Sequence, residues 1–281
     1  MKELKNTYHG LKEQKISLTQ LFPNFCKNIE KLNLPEEELL KYMKYFEEGE
    51  EILKRCNSKK CNDCYGLVPR FVKHEDRIYI TYEPCKMYYY RKIKERLKDF
   101  VIEIPIDKNF SNFEVDENLE GVINTVNLYL RKELYKKGYG IYFYGNSGSG
   151  KTHLSFAILN YINHNTDFYS FAIYVPEFIQ KIRDHYSSGD MEINPVMEIA
   201  KIPVLLLDDL GAERYTEWAS EQIVQLLDFR YRNKLATIIT SNLKLNDLKE
   251  KVGERIYSRV VGLSKPVLIL SEDYRKREQD W

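Results

Sequence analysis

The sequence of 281 residues lacks the features that mark membrane and secreted proteins. No run of apolar residues reaches the ~18 that a membrane-spanning helix needs, and the first fifteen residues hold no apolar stretch of the secretory-signal kind. An excess of one charge is also absent, since 43 Lys and Arg face 42 Asp and Glu. This balance excludes a histone-like polycation but allows a local basic groove. We therefore expect a cytoplasmic protein with no membrane partner.

Cysteine is scarce and unevenly placed. All five cysteines lie within the first 85 residues, so chemistry that needs thiolates is confined to the first third of the chain. The same part carries a slight excess of basic side chains and the remainder a slight excess of acidic ones. Together these asymmetries predict an N-terminal domain over residues 1–105, a linker over 106–118 and a second domain over 119–281.

The N-terminal domain is predicted to be small and mostly helical. Residues 11–55 have helical spacing of apolar residues, and residues 86–100 read as a basic helix. The alternating, β-branched and aromatic residues 77–82 predict a strand. Residues 101–118 read as a connector, because they are mostly polar and Pro105 interrupts them.

The second domain has the pattern of an α/β fold. Apolar strands alternate with helices, which predicts a parallel sheet covered by helices on both sides. The strands are expected at 140–145, 171–175, 202–208, 236–241 and 266–270, and the helices at 119–137, 151–163, 176–186, 217–233 and 245–260.

The strongest motif is a phosphate-binding loop between a predicted strand and a predicted helix. Its glycines allow the backbone to curl so that successive N–H groups point at phosphate oxygens, and the helix N-terminus adds the positive end of its dipole. We expect Lys151 to reach the β- and γ-phosphates and the Thr152 hydroxyl to bind Mg²⁺. The motif consists of Gly145, Asn146, Ser147, Gly148, Ser149, Gly150, Lys151 and Thr152.

Polar residues follow two further strands of the predicted sheet. Asp208 is expected to hold Mg²⁺, directly or through water, and Asp209 to orient or activate the attacking water. Many ATPases of this kind have Glu at the second position, so the shorter Asp209 predicts slow hydrolysis or a larger role for a partner. Asn242 follows the next strand and is expected to hydrogen-bond the same water.

Four arginines are candidates for the charge that a leaving γ-phosphate requires. Arg255 and Arg259 lie four residues apart on one face of the last predicted helix, and Arg275 and Arg277 follow it. An arginine beside the γ-phosphate stabilises the transition state and can come from a neighbouring subunit. On spacing alone, the same residues also fit a solvated surface.

The second domain resembles the AAA+ ATPases of the DnaC/DnaI group, the bacterial and phage loaders of the replicative DNA helicase. The resemblance covers most of residues 112–281 and rests on GNSGSGKT, YVPEFI, VLLLDDLGAE, TSN and GERIYSRV. YVPEF and LLLDDLGAE are the most specific, since generic P-loop proteins lack them. The resemblance implies that Asn242 is the sensor-1 residue, Arg259 the arginine finger and Arg275 the sensor-2 arginine, with Arg277 as the alternative.

The cysteines of the N-terminal domain have the spacing of a metal site. Four thiolates in two groups suit a closed, tetrahedral, structural Zn²⁺, and a cytosolic setting argues against disulfides. Unliganded thiols, a redox pair and an iron–sulfur cluster are the alternatives. His74 is a rival for the place of Cys56 or Cys85, and Cys26 stands apart as a buried or free thiol. The expected ligands are Cys56, Cys61, Cys64 and Cys85.

The cysteine module extends the resemblance. DnaI-type loaders of Gram-positive bacteria carry an N-terminal zinc domain, whereas DnaC-type loaders and transposition helper ATPases generally do not. The stretch GLVPRFVKHEDRIYITYEPCK resembles the last ligands of that domain. The resemblance thus implies a primosomal protein whose N-terminal domain docks on the hexameric replicative helicase. Its AAA+ domain would bind ATP or ADP with Mg²⁺, single-stranded DNA and further copies of itself.

Two alternative functions remain at this point. A transposition helper ATPase shares the AAA+ core, so the core by itself does not distinguish it from a helicase loader. A nucleotide-switched adaptor with negligible turnover is the other alternative, and the aspartate at position 209 is compatible with it.

Overall fold

The chain divides into two units, Met1–Ile93 and Lys94–Trp281. Among the residues that the structure describes, no helix is both long enough and apolar enough to cross a bilayer. The structure, a computed structural model, describes residues 17–25, 29–30, 32–57, 67–74, 77–84, 86–115, 119–166, 168–189, 192–212 and 214–271.

The first unit combines short helices with a β-hairpin. The predicted strand at 77–82 is confirmed, and it pairs with an antiparallel partner that the sequence did not predict. The predicted helical stretch at 11–55 is several helices over its described part, and Pro35 precedes one of them. The elements are α1 (Leu18–Leu21), α2 (Glu36–Leu39), α3 (Met43–Asn57), β1 (Leu67–His74), β2 (Arg77–Pro84) and α4 (Lys86–Arg96), which begins in this unit.

Aromatic side chains form the core of the first unit. The ring of Phe71 on β1 lies 6.0 Å from that of Phe25 and 5.3 Å from that of Phe46, both of which are fully buried. The carboxylate of Glu50 on α3 accepts hydrogen bonds from the backbone N–H groups of Asn24 and Phe25, at 2.8 and 3.0 Å. The aromatic contacts hold the hairpin against α3, and the hydrogen bonds of Glu50 hold the segment at Asn24 and Phe25 against the same helix.

The second unit is an α/β domain around a five-stranded sheet. The strands β4 (Ser170–Tyr174), β5 (Val204–Asp208), β6 (Ala236–Ser241), β3 (Gly140–Tyr144) and β7 (Ser264–Leu268) are neighbours in that order, and every pair is parallel, which confirms the predicted α/β fold with a parallel sheet. Every residue of β5 and β6 is buried, so the sheet is covered on both faces. The elements are α5 (Glu120–Arg131), β3 (Gly140–Tyr144), α6 (Lys151–Asn165), β4 (Ser170–Tyr174), α7 (Val175–Ser187), α8 (Pro195–Ala200), β5 (Val204–Asp208), α9 (Glu217–Arg232), β6 (Ala236–Ser241), α10 (Leu245–Val252), α11 (Glu254–Leu263) and β7 (Ser264–Leu268).

Two predicted helices are interrupted within the ranges that their periodicity suggested. The helix predicted at 119–137 stops after Arg131, because Glu133 adopts a left-handed conformation with φ of 49°. The helix predicted at 245–260 is divided into α10 and α11 at Gly253, whose φ is 88°. A right-handed helix does not continue through a residue with positive φ. The short helix α8 was not predicted.

The predicted linker at 106–118 packs on the second unit over its described part. The side-chain amide of Asn160 on α6 donates to the carbonyl oxygens of Pro105 and Lys108, at 2.9 and 2.8 Å. The side chain of Phe113 is buried in the core of this unit. The described part of the segment therefore belongs to the second unit, because its backbone carbonyls accept hydrogen bonds there and Phe113 packs in that core.

A buried arginine holds the beginnings of two strands together. Arg230 on α9 is fully buried, and burial lowers the pKa of its guanidinium to about 9. Its Nε donates to Thr237 Oγ1 at 2.9 Å, and Nη1 donates to the carbonyl oxygens of Ala200 and Ile202 at 3.1 and 2.6 Å. Arg230 thus fixes β5 and β6 at the end opposite to the one that carries the predicted catalytic residues.

Candidate nucleotide site

The predicted phosphate loop and the predicted polar residues meet at one edge of the sheet. Strands β5, β6 and β3 are consecutive neighbours, so the segments that follow them lie side by side. A cavity of about 810 Å³ opens there. It is lined by Lys108, Asn112, Phe113, Glu114, Ser147, Gly148, Ser149, Gly150, Lys151, Thr152, His153, Phe156, Tyr174, Asp208, Asp209, Thr240 and Asn242.

Glycine is required at both ends of the loop. Gly145 has a φ of 149°, and a Cβ atom there would lie 2.2 Å from the carbonyl oxygen of Ile269. Gly150 has a φ of 89°, and a Cβ atom there would lie 3.0 Å from the ring of Phe113. Side chains at these two positions would strain the backbone or collide with neighbours. The loop therefore takes its curled form only with the glycines of the motif.

Lys151 folds back over the loop. Its Nζ donates to the carbonyl oxygens of Gly145 and Asn146, at 2.9 and 2.6 Å. The residue is only 7 % exposed and it lines the cavity. The only positive charge of the motif is therefore held against the loop backbone at the cavity wall, where it can attract phosphate oxygens.

Asp208 is hydrogen-bonded to two hydroxyl groups from neighbouring elements. Its Oδ1 accepts from Thr152 Oγ1 at 2.8 Å and from Thr240 Oγ1 at 2.7 Å. Burial raises the pKa of Asp208, and the two hydroxyl donors oppose that rise. The last residue of the phosphate motif and the carboxylate at the end of β5 are thus in direct contact. Oxygen atoms of this type are the ligands that Mg²⁺ takes in nucleotide sites, so the donor set fits that ion.

Asp209 follows in an unusual backbone conformation. Its φ is 61°, a left-handed value that aspartate tolerates better than most residues. Its backbone N–H donates to Thr240 Oγ1 at 2.8 Å, and its Oδ1 accepts from Asn242 Nδ2 at 3.2 Å. The turn brings the second carboxylate to the cavity wall beside Asn242.

One wall of the cavity is formed by part of the segment 101–118, which the sequence predicted to be a connector. The ring of Phe113 meets the ring of His153 edge to face, with centroids 5.3 Å apart. His153 Nε2 lies 3.2 Å from the carbonyl oxygen of Asn109, and burial lowers the pKa of the imidazole. Phe156 adds apolar surface. The two phenylalanines of NFSNF at 109–113 were the available sign that this polar stretch is partly buried.

The predicted arginines are not part of this cavity in their own chain. Arg259 lies on α11, paired with Asp228, and Arg255 on the same helix is exposed. Neither is among the residues that line the cavity in the described part of the chain. Arg275 and Arg277 lie outside the described residues.

The predicted zinc ligands also fall outside what the structure describes. Cys61, Cys64 and Cys85 are not among the described residues, and neither is Cys26. The backbone of Cys56 belongs to α3 and that of His74 to β1, but their side chains are not described. Within the described residues no group of three or more His, Cys, Asp or Glu could hold a metal ion.

Comparisons with known proteins show similarity to helicase loaders. The replicative helicase loader DnaI of Bacillus subtilis (strain 168) is 26% identical over 94% of this chain and 92% of its own length. A crystal structure of the DnaC helicase loader matches 58% of this chain and 97% of its own, at 26% identity and a TM-score of 0.54. A crystal structure of DnaI matches 59% of this chain and 92% of its own, at 27% identity and a TM-score of 0.51.

The resemblance to DnaI/DnaC-type loaders inferred from the motifs is thereby confirmed, as is the AAA+ P-loop fold. The family model described as IstB-like ATP binding protein matches residues 105–280, which is more than half of the chain. Its span covers the cavity, the phosphate loop, both carboxylates and Arg259. The chain belongs to the family of IstB-like ATP binding proteins.

Proposed function

We propose that the chain is an ATPase that loads a replicative DNA helicase. The observation that carries the proposal is the reach of the similarity to DnaI, which extends over 94% of this chain. A transposition helper ATPase would share the AAA+ core, but that core alone does not account for similarity in the N-terminal unit. We infer that the N-terminal unit docks on the hexameric helicase, while the AAA+ unit binds ATP, single-stranded DNA and further copies of itself.

The proposed reaction is hydrolysis of ATP by water. The phosphates would lie in the loop, with the Lys151 ammonium on the β- and γ-phosphate oxygens. Thr152 and Asp208 would hold Mg²⁺, which would supply positive charge to offset that of the phosphates. The aromatic wall of Phe113 and Phe156 offers an apolar surface for the base. The chain thus contributes mainly positioning and charge, which is how this class of reaction is catalysed.

Asp209 and Asn242 are the proposed partners of the attacking water. Their side chains are hydrogen-bonded to each other at 3.2 Å, so one water could contact both. The carboxylate of Asp209 would accept the proton of the water as it attacks the γ-phosphate, and Asn242 would orient it. Aspartate is one methylene shorter than the usual glutamate, which supports slow turnover. If hydrolysis is negligible with and without single-stranded DNA, the protein is a nucleotide-switched adaptor.

Capture of the helicase tests the proposal. The tagged full-length protein, with ATP, is expected to capture the hexameric replicative helicase of the same organism. Lys151→Ala and Lys132→Ala form a matched pair, since Lys132 is exposed and is not among the residues that line the cavity. Only Lys151→Ala should remove the effect of ATP on the complex. Capture of a transposase in place of the helicase would favour the transposition helper.

We further propose that Cys56, Cys61, Cys64 and Cys85 hold one structural Zn²⁺ in the N-terminal unit. The support is their spacing and the similarity of that unit to DnaI. Four thiolates would close the coordination sphere, so the ion would stabilise the fold rather than take part in hydrolysis.

Elemental analysis of the purified protein is therefore expected to find one zinc per chain. Cys64→Ser should lose zinc and weaken helicase capture, while ATP binding persists because the nucleotide cavity lies in the other unit. Cys26→Ser is the matched control and should keep both zinc and helicase binding. Native protein without zinc and with five freely titratable thiols would contradict the proposal.

A further inference from the structure

Arg259 is fixed by two side chains of the neighbouring helix. Its Nε donates to the carboxylate of Asp228, and its guanidinium carbon lies 5.1 Å from the centre of the Tyr231 ring. Asp228 and Tyr231 are three residues apart on α9 and therefore share a face of that helix. An ion pair combined with a cation–π contact restricts the rotamers of a side chain that would otherwise be free.

The position of the Tyr231 ring depends on a glycine in α11. A Cβ atom at Gly262 would lie 2.8 Å from Cε2 of Tyr231, too close for the ring to stay in place. The ring is nevertheless 46 % exposed, so it is not a core side chain. The absence of a side chain at Gly262 therefore leaves room for the Tyr231 ring beside Arg259.

The ion pair leaves the outer part of the guanidinium available. Asp228 accepts from Nε, and within the described residues neither terminal nitrogen of Arg259 donates a hydrogen bond. A carboxylate bound through both terminal nitrogens would occupy the fork that recognises phosphate. Binding through Nε instead fixes the plane of the group and leaves four N–H donors for an anion. The Arg259 side chain is 36 % exposed, so an incoming phosphate can reach it.

We propose that Asp228 is the positioning residue of Arg259, with Tyr231 as its support. This inference rests on the proposed ATPase function and self-association, and on the role of arginine finger that the resemblance implies for Arg259, in which it reaches the γ-phosphate bound by a neighbouring subunit. Asp228 orients the terminal nitrogens before the subunits meet, so less side-chain entropy is lost when the transition state forms. Arg232 lies 3.7 Å from the other oxygen of Asp228 and keeps the carboxylate paired on that side.

Asp228→Asn in the full-length protein tests this role. We expect the kcat of the assembled ATPase to fall by up to about 10²-fold, as for a misplaced catalytic group, with KM for ATP nearly unchanged. Glu221→Gln is the matched control, because Glu221 is an exposed carboxylate on the same helix. Tyr231→Ala should lower kcat and Tyr231→Phe should not. If Asp228→Asn does not fold, this second pair of variants provides the test.

Mixing variants separates positioning from a structural role. A Lys151→Ala subunit keeps Asp228 and Arg259 intact, so mixing it with Asp228→Asn should raise the rate per competent nucleotide site. A variant that merely damages its own subunit would not recover. Normal or higher kcat in Asp228→Asn, with Arg259→Ala impaired, would overturn the positioning role. Normal kcat in Arg259→Ala would instead overturn the proposed function of Arg259 itself.

Discussion

Lys151→Ala is expected to abolish ATP hydrolysis and to weaken ATP binding severely. The ammonium is the only positive charge of the phosphate loop, and the loop holds it through the carbonyl oxygens of Gly145 and Asn146. Without it, the β- and γ-phosphates face backbone dipoles and a bound Mg²⁺ alone. Loss of one preorganised charge of this kind costs on the order of 10²-fold or more in rate. Fluorescent-nucleotide titration and phosphate release measure the two effects.

The control for Lys151→Ala is Lys132→Ala, which removes an exposed lysine of the same unit. It should bind and hydrolyse ATP as the unaltered protein does. Both variants should retain the zinc content of the unaltered protein, because the cysteines lie in the other unit. Tight ATP binding together with full hydrolysis in Lys151→Ala would show that the phosphate site has been wrongly assigned.

Short-range rules determine the geometry of this part of the candidate site. A glycine-rich loop between a strand and a helix has few alternative structures, and Lys151 and Thr152 follow directly in the chain. Asp208 could be placed because a buried strand runs into it. The sheet order then brings β6 between β5 and β3, so Thr240 and Asn242 come beside the carboxylates. The contact of Thr152 with Asp208 follows from that order.

The remainder of the site depends on contacts between residues distant in the chain. Polar composition and Pro105 predicted a connector at 101–118, because nothing local shows that Asn160 binds its carbonyl oxygens. The two phenylalanines of residues 109–113 were the available sign that Phe113 is buried. The ion pair of Arg259 with Asp228 could not be predicted either, because the two residues are 31 positions apart in the chain. Periodicity also predicted two helices that continue through Glu133 and Gly253, where positive φ values interrupt them. Periodicity records which residues face the core but not where a backbone turns.

The Arg259→Ala variant is expected to bind ATP almost normally and to lose the ATP hydrolysis of the assembled protein. The residue lies outside the nucleotide cavity of its own chain, held on α11 by Asp228. Its charge would therefore act on the γ-phosphate of a neighbouring subunit, chiefly as that group departs, so ground-state binding suffers little. Loss of such an arginine in other phosphoryl-transfer systems costs ~10³–10⁵ in rate. Single-turnover hydrolysis by the assembled protein, beside nucleotide titration, measures the difference.

A mixture of Arg259→Ala with Lys151→Ala determines whether the arginine acts between subunits. Each variant is inactive by itself, but the first keeps its nucleotide site and the second keeps its arginine. Where the nucleotide site of an Arg259→Ala subunit meets the arginine of a Lys151→Ala subunit, one complete site forms. Hydrolysis should then partly return. Arg255→Ala is the matched control, since Arg255 is exposed on the same helix and should behave as the unaltered protein does. If the mixed subunits assemble and remain inactive, Arg259 does not act in trans. If Arg259→Ala alone hydrolyses ATP at the normal rate, Arg259 is a surface charge held by Asp228.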